Sequence, residues 1–178
     1  MEPLMEWNSK QKNELVYRSG AKENDVIVVS GNLGAAYMGL QLLEREKKVF
    51  KSDPDIQPDL TGYDYILQRQ LKPAARKDVY ALLKDNNIKP TSMIDISDGL
   101  SSELLHICEQ SGCGCKIFED KLPVDKQTVR MAEEMNLDPG HAVLNGGEDY
   151  ELLFTVPLSE YDKISRLPDI HSIGHITN

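Results

Sequence analysis

Asp95 and Asp98 stand three residues apart in "MIDISDGLSSELLHI" (93–107), with Ser97 between them, where an apolar run gives way to a helical pattern. Carboxylate oxygens at such a junction suit a hard cation such as Mg²⁺, and through it a phosphate. The helix that follows would add unpaired backbone N–H groups and a positive dipole end. Gly99 would let a bulky ligand come close to the backbone. A plainer reading competes: aspartate is a favoured helix N-cap, and an Asp98 cap would stabilise the helix by about 1 kcal/mol. Asp95, between Ile94 and Ile96 in an apolar run, reads as a buried acid. It is expected to have a partner, whether a metal, a base or backbone donors.

A second group of acids follows "NGG" in "NGGEDYELLF" (145–154). Gly146 and Gly147 predict a turn or bulge before a strand, with Glu148 and Asp149 directly after it and Glu151 on the strand. The stretch reads either as a solvated turn or as a glycine-hinged loop that aims a carboxylate at a ligand amine or cation.

Other chemistries find little support. "SGNLGAAYMG" (30–39) has glycines but no P-loop lysine and no complete dinucleotide fingerprint. No arrangement for covalent catalysis is legible. Cys108, Cys113 and Cys115 cluster near His106, but no further pair completes a four-ligand zinc site. They read as reduced, mostly buried thiols.

The elements that must position these residues alternate in kind. "DVIVVSG" (25–31) predicts a buried strand, and "NLGAAYMGLQLLEREKK" (32–48) a helix whose small residues would let it approach a sheet closely. "YDYILQRQLKP" (63–73) reads as a short helix or turn and "AARKDVYALLKDNNIKP" (74–90) as a helix with Val79, Leu82 and Leu83 on one face. "TSMIDIS" (91–97) predicts a strand. The following helix carries a stripe of Leu100, Leu104, Ile107 and Cys108 and a stop at Gly112. "CGCKIFED" (113–120) predicts a short strand and "DKQTVRMAEEMN" (125–136) a helix with Val129, Ala132 and Met135 inward. Tyr150, Leu152, Phe154 and Val156 face one way along the next strand. A short helix and the strand "IHSIGHITN" (170–178) finish the chain. The expected class is α+β: a mixed β-sheet packed with helices.

The 178 residues suffice for one domain with a core. A net charge of −9 argues against a general nucleic-acid binder, though a phosphate bridged by Mg²⁺ remains compatible with it. No apolar run reaches membrane-spanning length, and the first residues lack the pattern of a signal peptide. A cytoplasmic location is expected.

Taken in order, "YRSGAKENDVIVVSGNLGAAYMGL", "SMIDISDGLSSEL" and "NGGEDYELLFTVP" resemble the thiamine-monophosphate kinases, members of the PurM-like (aminoimidazole-ribonucleotide-synthetase-like) superfamily. The similarity runs from about Leu15 to Thr177. The resemblance implies a kinase that converts ATP and thiamine monophosphate to ADP and thiamine diphosphate by direct, Mg²⁺-assisted transfer. It implies that Asp95 and Asp98 bind Mg²⁺, that Ser97 contacts ATP, and that Glu148 contacts the substrate. It also implies a C-terminal domain with partial ferredoxin-like character.

The family's N-terminal half, with further Mg²⁺-binding aspartates, a Gly-Gly-Asp-Thr-like stretch and the main dimer contacts, has no counterpart here. Nor does its terminal aromatic segment. The expectation is therefore a ragged remnant over 1–13, then a domain over 14–178 cut short at its C-terminal end. Such a piece, without the N-terminal half as partner, would be inactive. Two alternatives stay open: another ATP-dependent synthetase domain of the superfamily, or a stand-alone, non-catalytic binding module of the same fold.

Overall fold

The computed structural model describes residues 15–178, so the expected remnant over 1–13 lies outside the described residues. Five strands form one sheet: β1 (Val26–Ser30), β2 (Ser92–Asp95), β3 (Gly114–Ile117), β4 (Leu152–Val156) and β5 (Ile170–Thr177). Their order is β2-β4-β1-β5-β3. The helices among the described residues are α1 (Ala35–Ser52), α2 (Asp64–Leu71), α3 (Lys77–Asp85), α4 (Leu100–Ser111), α5 (Lys126–Glu134), α6 (Pro139–Asn145) and α7 (Tyr161–Ile164).

The α+β class is as expected, but the sheet is not mixed. Every neighbouring pair is antiparallel. Two crossovers explain this. The path from β1 through α1, α2 and α3 to β2 leaves a gap that β4 fills, and the path from β4 through α7 to β5 straddles β1. Strands joined by a helical crossover are thus never neighbours. This is the split β-α-β-β-α-β pattern of ferredoxin-like folds. The segment from α4 to α6 is inserted between β2 and β4, and its β3 extends the sheet beyond β5.

β1 is the central strand and all five of its residues are buried, which is why it reads as an unbroken apolar run. One face of the sheet, with Ile27, Val29, Ile94, Leu153 and Ile173, packs on Leu100, Leu104 and Ile107 of α4. The other, with Val26, Val28, Phe154 and Val156, packs on Val79 and Leu83 of α3 and Ile164 of α7. A third cluster joins α1, α2, α5 and α6 through Met38, Leu42, Ile66, Met131 and Ala142.

The small residues of α1 serve helix–helix packing rather than a helix–sheet contact. A Cβ on Gly39 would lie 2.3 Å from the Ile66 carbonyl oxygen of α2. The α4 stripe and its left-handed Gly112 cap are as the periodicity predicts. In α5 the buried set is Thr128, Met131 and Ala132, so Val129 and Met135 sit at the margin of the packed face. Helix α6 was not predicted, and it ends directly before the predicted turn at Gly146 and Gly147. Asp138 caps it by accepting from Gly140 N at 2.9 Å, and Pro139 occupies its first turn.

Candidate functional site

Antiparallel pairing of β2 with β4 continues past the regular strands and joins the two acidic turns. Ile96 N donates to Glu151 O (2.8 Å), Tyr150 N to Ile96 O (2.9 Å) and Glu148 N to Ser97 O (2.8 Å). Gly147 makes the closest approach possible: a Cβ there would sit 2.4 Å from Ser97 O and 3.2 Å from Asp98 Cα. The chain must also bend sharply. Glu148 (φ 69°) and Tyr150 (φ 52°) both adopt left-handed backbone. In side chains other than glycine that costs about 1 kcal/mol or more each, so the surroundings must hold it.

The bend sorts the acids. Glu148 is exposed, whereas Asp149 and Glu151 are buried. Asp95, Asp98 and Glu148 therefore share one open edge, and Tyr150 belongs to the same edge. Its hydroxyl donates to Glu148 Oε2 at 2.8 Å. That bond, with the negative charge of Glu148 and, further off, of Asp95 and Asp98, raises the Tyr150 pKa above the usual tyrosine range.

Two expectations change here. Asp95 is exposed, not buried. β2 is an edge strand, and its alternation turns Ile94 and Ile96 inward and Asp95 outward at the strand end. Nor does Asp98 cap α4: Gly99 holds that position, with no side-chain cap bond. Ser97 is half-buried and its Oγ lies 3.4 Å from Glu103 Oε1, which also accepts from Asp98 N at 3.1 Å.

The inward acids Asp149 and Glu151, which the sequence placed in the turn and strand without separating them from Glu148, build the support. Asp149 accepts from Gly34 N at 2.6 Å and Ala36 N at 3.2 Å, capping α1 from a distant part of the chain. Burial pushes its carboxyl up to about 6, although those amides and Arg69 favour the charge. Glu151 is gripped by Arg69 (Nη1–Oε1 2.8 Å), Arg76 and the Ser30 hydroxyl. Arg69 also donates to Asp149 O at 2.7 Å. The period-two alternation that put Tyr150 with Leu152 and Phe154 was the signal that could have turned Asp149 and Glu151 inward.

Among the described residues no three His, Cys, Asp or Glu side chains gather closely enough to enclose a metal. Asp95 and Asp98, both exposed, could together hold a hydrated Mg²⁺, which when bound would neutralise phosphate charge. Cys108 is buried on α4, and Cys113 and Cys115 are half-buried free thiols. Two cavities, one beside Leu83 and Met93 and one beside Phe118 and His175, lie away from this edge. The candidate site is an open rim of charge rather than a closed pocket.

Comparison with known proteins identifies relatives of this chain. The family described as AIR synthase related protein, C-terminal domain, matches residues 22–178. The chain is 39% identical over 143 residues to the thiamine-monophosphate kinase of Salmonella typhimurium, covering 79% of this chain and 39% of that protein. It is 32% identical over 160 residues to the Aquifex aeolicus enzyme, covering 90% and 48%. Among solved structures, AaThiL complexed with AMPPCP and TMP superposes with a TM-score of 0.77 at 31% identity, over 92% of this chain and 48% of that one. The thiamine-monophosphate kinase of Stenotrophomonas maltophilia gives 0.78 at 26%, over 94% and 52%. Escherichia coli HypE, at 18% identity and a TM-score of 0.63, shares the fold. The chain thus spans about half the length of the relatives it matches. No helix among the described residues is long and apolar enough to cross a membrane. This chain belongs to the AIR synthase related protein, C-terminal domain, family.

Proposed function

We propose that the chain supplies the C-terminal half of the catalytic centre of a thiamine-monophosphate kinase. The observation that carries this reading is the pairing of the 95–98 and 146–150 turns, which brings Asp95, Asp98 and Glu148 to one exposed edge. It is supported by a solved structure that superposes on 92% of this chain and is complexed with AMPPCP and TMP.

In this reading Asp95 and Asp98 hold Mg²⁺, which when bound neutralises phosphate charge. Ser97 contacts ATP beside the N-terminal end of α4. Glu148 contacts thiamine monophosphate, whose positively charged thiazolium ring its carboxylate suits, and Tyr150 keeps Glu148 oriented through their 2.8 Å hydrogen bond. Phosphoryl transfer of this kind depends on positioning and electrostatics more than on covalent chemistry. The residues here are fixed accordingly, by backbone pairing beneath them.

Two carboxylates and one helix end do not enclose a nucleotide. The chain alone is therefore inactive. The N-terminal half of the same enzyme completes the site and carries the dimer contacts, and the assembled kinase works in the cytoplasm. The test is product formation: this chain with ATP, Mg²⁺ and thiamine monophosphate yields no thiamine diphosphate. Steady turnover by the chain alone would overturn the half-site reading.

A further inference from the structure

We propose that Glu103 is a positioning residue, set behind the 97–98 turn to ready it for a hydrated divalent cation and its phosphate. The inference rests on the reading of Asp95 and Asp98 as metal ligands.

Glu103 lies in the first turn of α4 and is 1% exposed. Its Oε1 accepts from Asp98 N at 3.1 Å and lies 3.4 Å from Ser97 Oγ. Its Oε2 is buried with no hydrogen-bond partner among the described residues. Reaching back to an amide ahead of the helix resembles the glutamate arm of a capping box, but from N4 to the residue before the N-cap, and such a bond needs only one acceptor oxygen. Glutamine offers that oxygen without a buried charge. A carboxylate here leaves one oxygen unsatisfied and adds a third negative charge to the region of Asp95 and Asp98. Both are costly without compensation.

A hydrated cation at Asp95 and Asp98 would offset the charge: it brings positive charge to the region of all three carboxylates. The Glu103 bond also sets geometry: it holds the Asp98 amide inward, and the Asp98 side chain stands on the exposed side. Outer partners of this kind typically contribute ten- to a hundredfold to metal affinity.

Mn²⁺, an oxygen-preferring stand-in for Mg²⁺, gives a direct readout on this chain. It broadens nearby amide resonances, and amide exchange at Asp98 reports the turn separately. Expected results are Mn²⁺ broadening centred on residues 95–99, and about tenfold weaker binding in Glu103→Gln with Asp98 exchange near wild type. Glu103→Ala weakens Mn²⁺ as much and also exposes the Asp98 amide. If Glu103→Ala fails to fold, Glu103→Gln, which keeps the acceptor, carries the test. Asp98→Asn separates the two ideas. If it loses Mn²⁺ while the folded Glu103 variants bind like wild type, the metal reading stands and the Glu103 inference falls. If Asp98→Asn also binds like wild type, the metal reading fails and the inference falls with it.

Discussion

Asp149 caps helix α1 across 115 residues of sequence, its Oδ2 accepting from the Gly34 amide at 2.6 Å. Gly34 holds the N-cap position in left-handed backbone (φ 80°) and offers no side chain of its own. The cap therefore comes from the same turn that exposes Glu148. This couples the candidate site to the α1–α2–α5–α6 cluster. Asp149→Ala removes the acceptor from two buried amides and should destabilise the fold by about 1–3 kcal/mol, read by denaturant melting.

The same carboxyl predicts a pH dependence. Burial raises the folded-state value to about 6 from 3.8. Between about pH 4 and 6 the folded chain therefore holds a proton that the unfolded chain has released. This contribution is complete below pH 4 and is lost as pH rises through 6. Stability of the wild type relative to Asp149→Asn should improve as pH falls from 7 to 4, by at most about 3 kcal/mol. A difference that is flat in pH would show that Asp149 stays charged.

Glu151 holds Arg69, Arg76 and Ser30 together at 1% exposure. Glu151→Ala leaves two guanidinium groups, 18% and 14% exposed, without their shared partner. The expected loss is about 3–5 kcal/mol, the usual cost of halving a buried ion pair. Arg76 retains Asp78 (3.0 Å) and Asp169 (2.8 Å). Arg76→Ala should therefore cost less than Arg69→Ala only if those exposed pairs matter little, which a comparison of the three melts resolves.

Gly147→Ala should uncouple the two acidic turns. Its Cβ would meet Ser97 O at 2.4 Å, a backbone atom with no freedom to give. The Glu148 N to Ser97 O bond then opens, and amide exchange at Glu148 should accelerate while the β1–β5 amides keep their protection. An unchanged Glu148 rate would place the turns further apart than described.

These contrasts show what a linear reading can reach. β1 and the α4 stripe were legible because their burial follows directly from local periodicity. Asp95, Asp98 and Glu148 stood out as candidates because they flank turns that end or begin predicted elements. The buried, supporting roles of Asp149 and Glu151 were not legible, because their partners, Gly34, Ala36, Ser30, Arg69 and Arg76, lie 75 to 121 residues away in sequence and meet them only in the fold. The exposure of Asp95 depended on β2 being an edge strand, and the antiparallel sheet on strands inserted from far along the chain. Neither is a property of a short window. α6 was hidden by its length of seven residues and by the glycines beside it.

The decisive measurement is thiamine diphosphate formation by this chain joined to the N-terminal half of a thiamine-monophosphate kinase, with Asp95 intact and as Asp95→Asn. Turnover is expected in the first, and a fall of about a hundredfold or more in the second, with the Asp95→Asn fold and melting temperature near wild type because the side chain is exposed. Wild-type turnover in Asp95→Asn would contradict the assignment of this edge as the Mg²⁺–phosphate half of the catalytic centre.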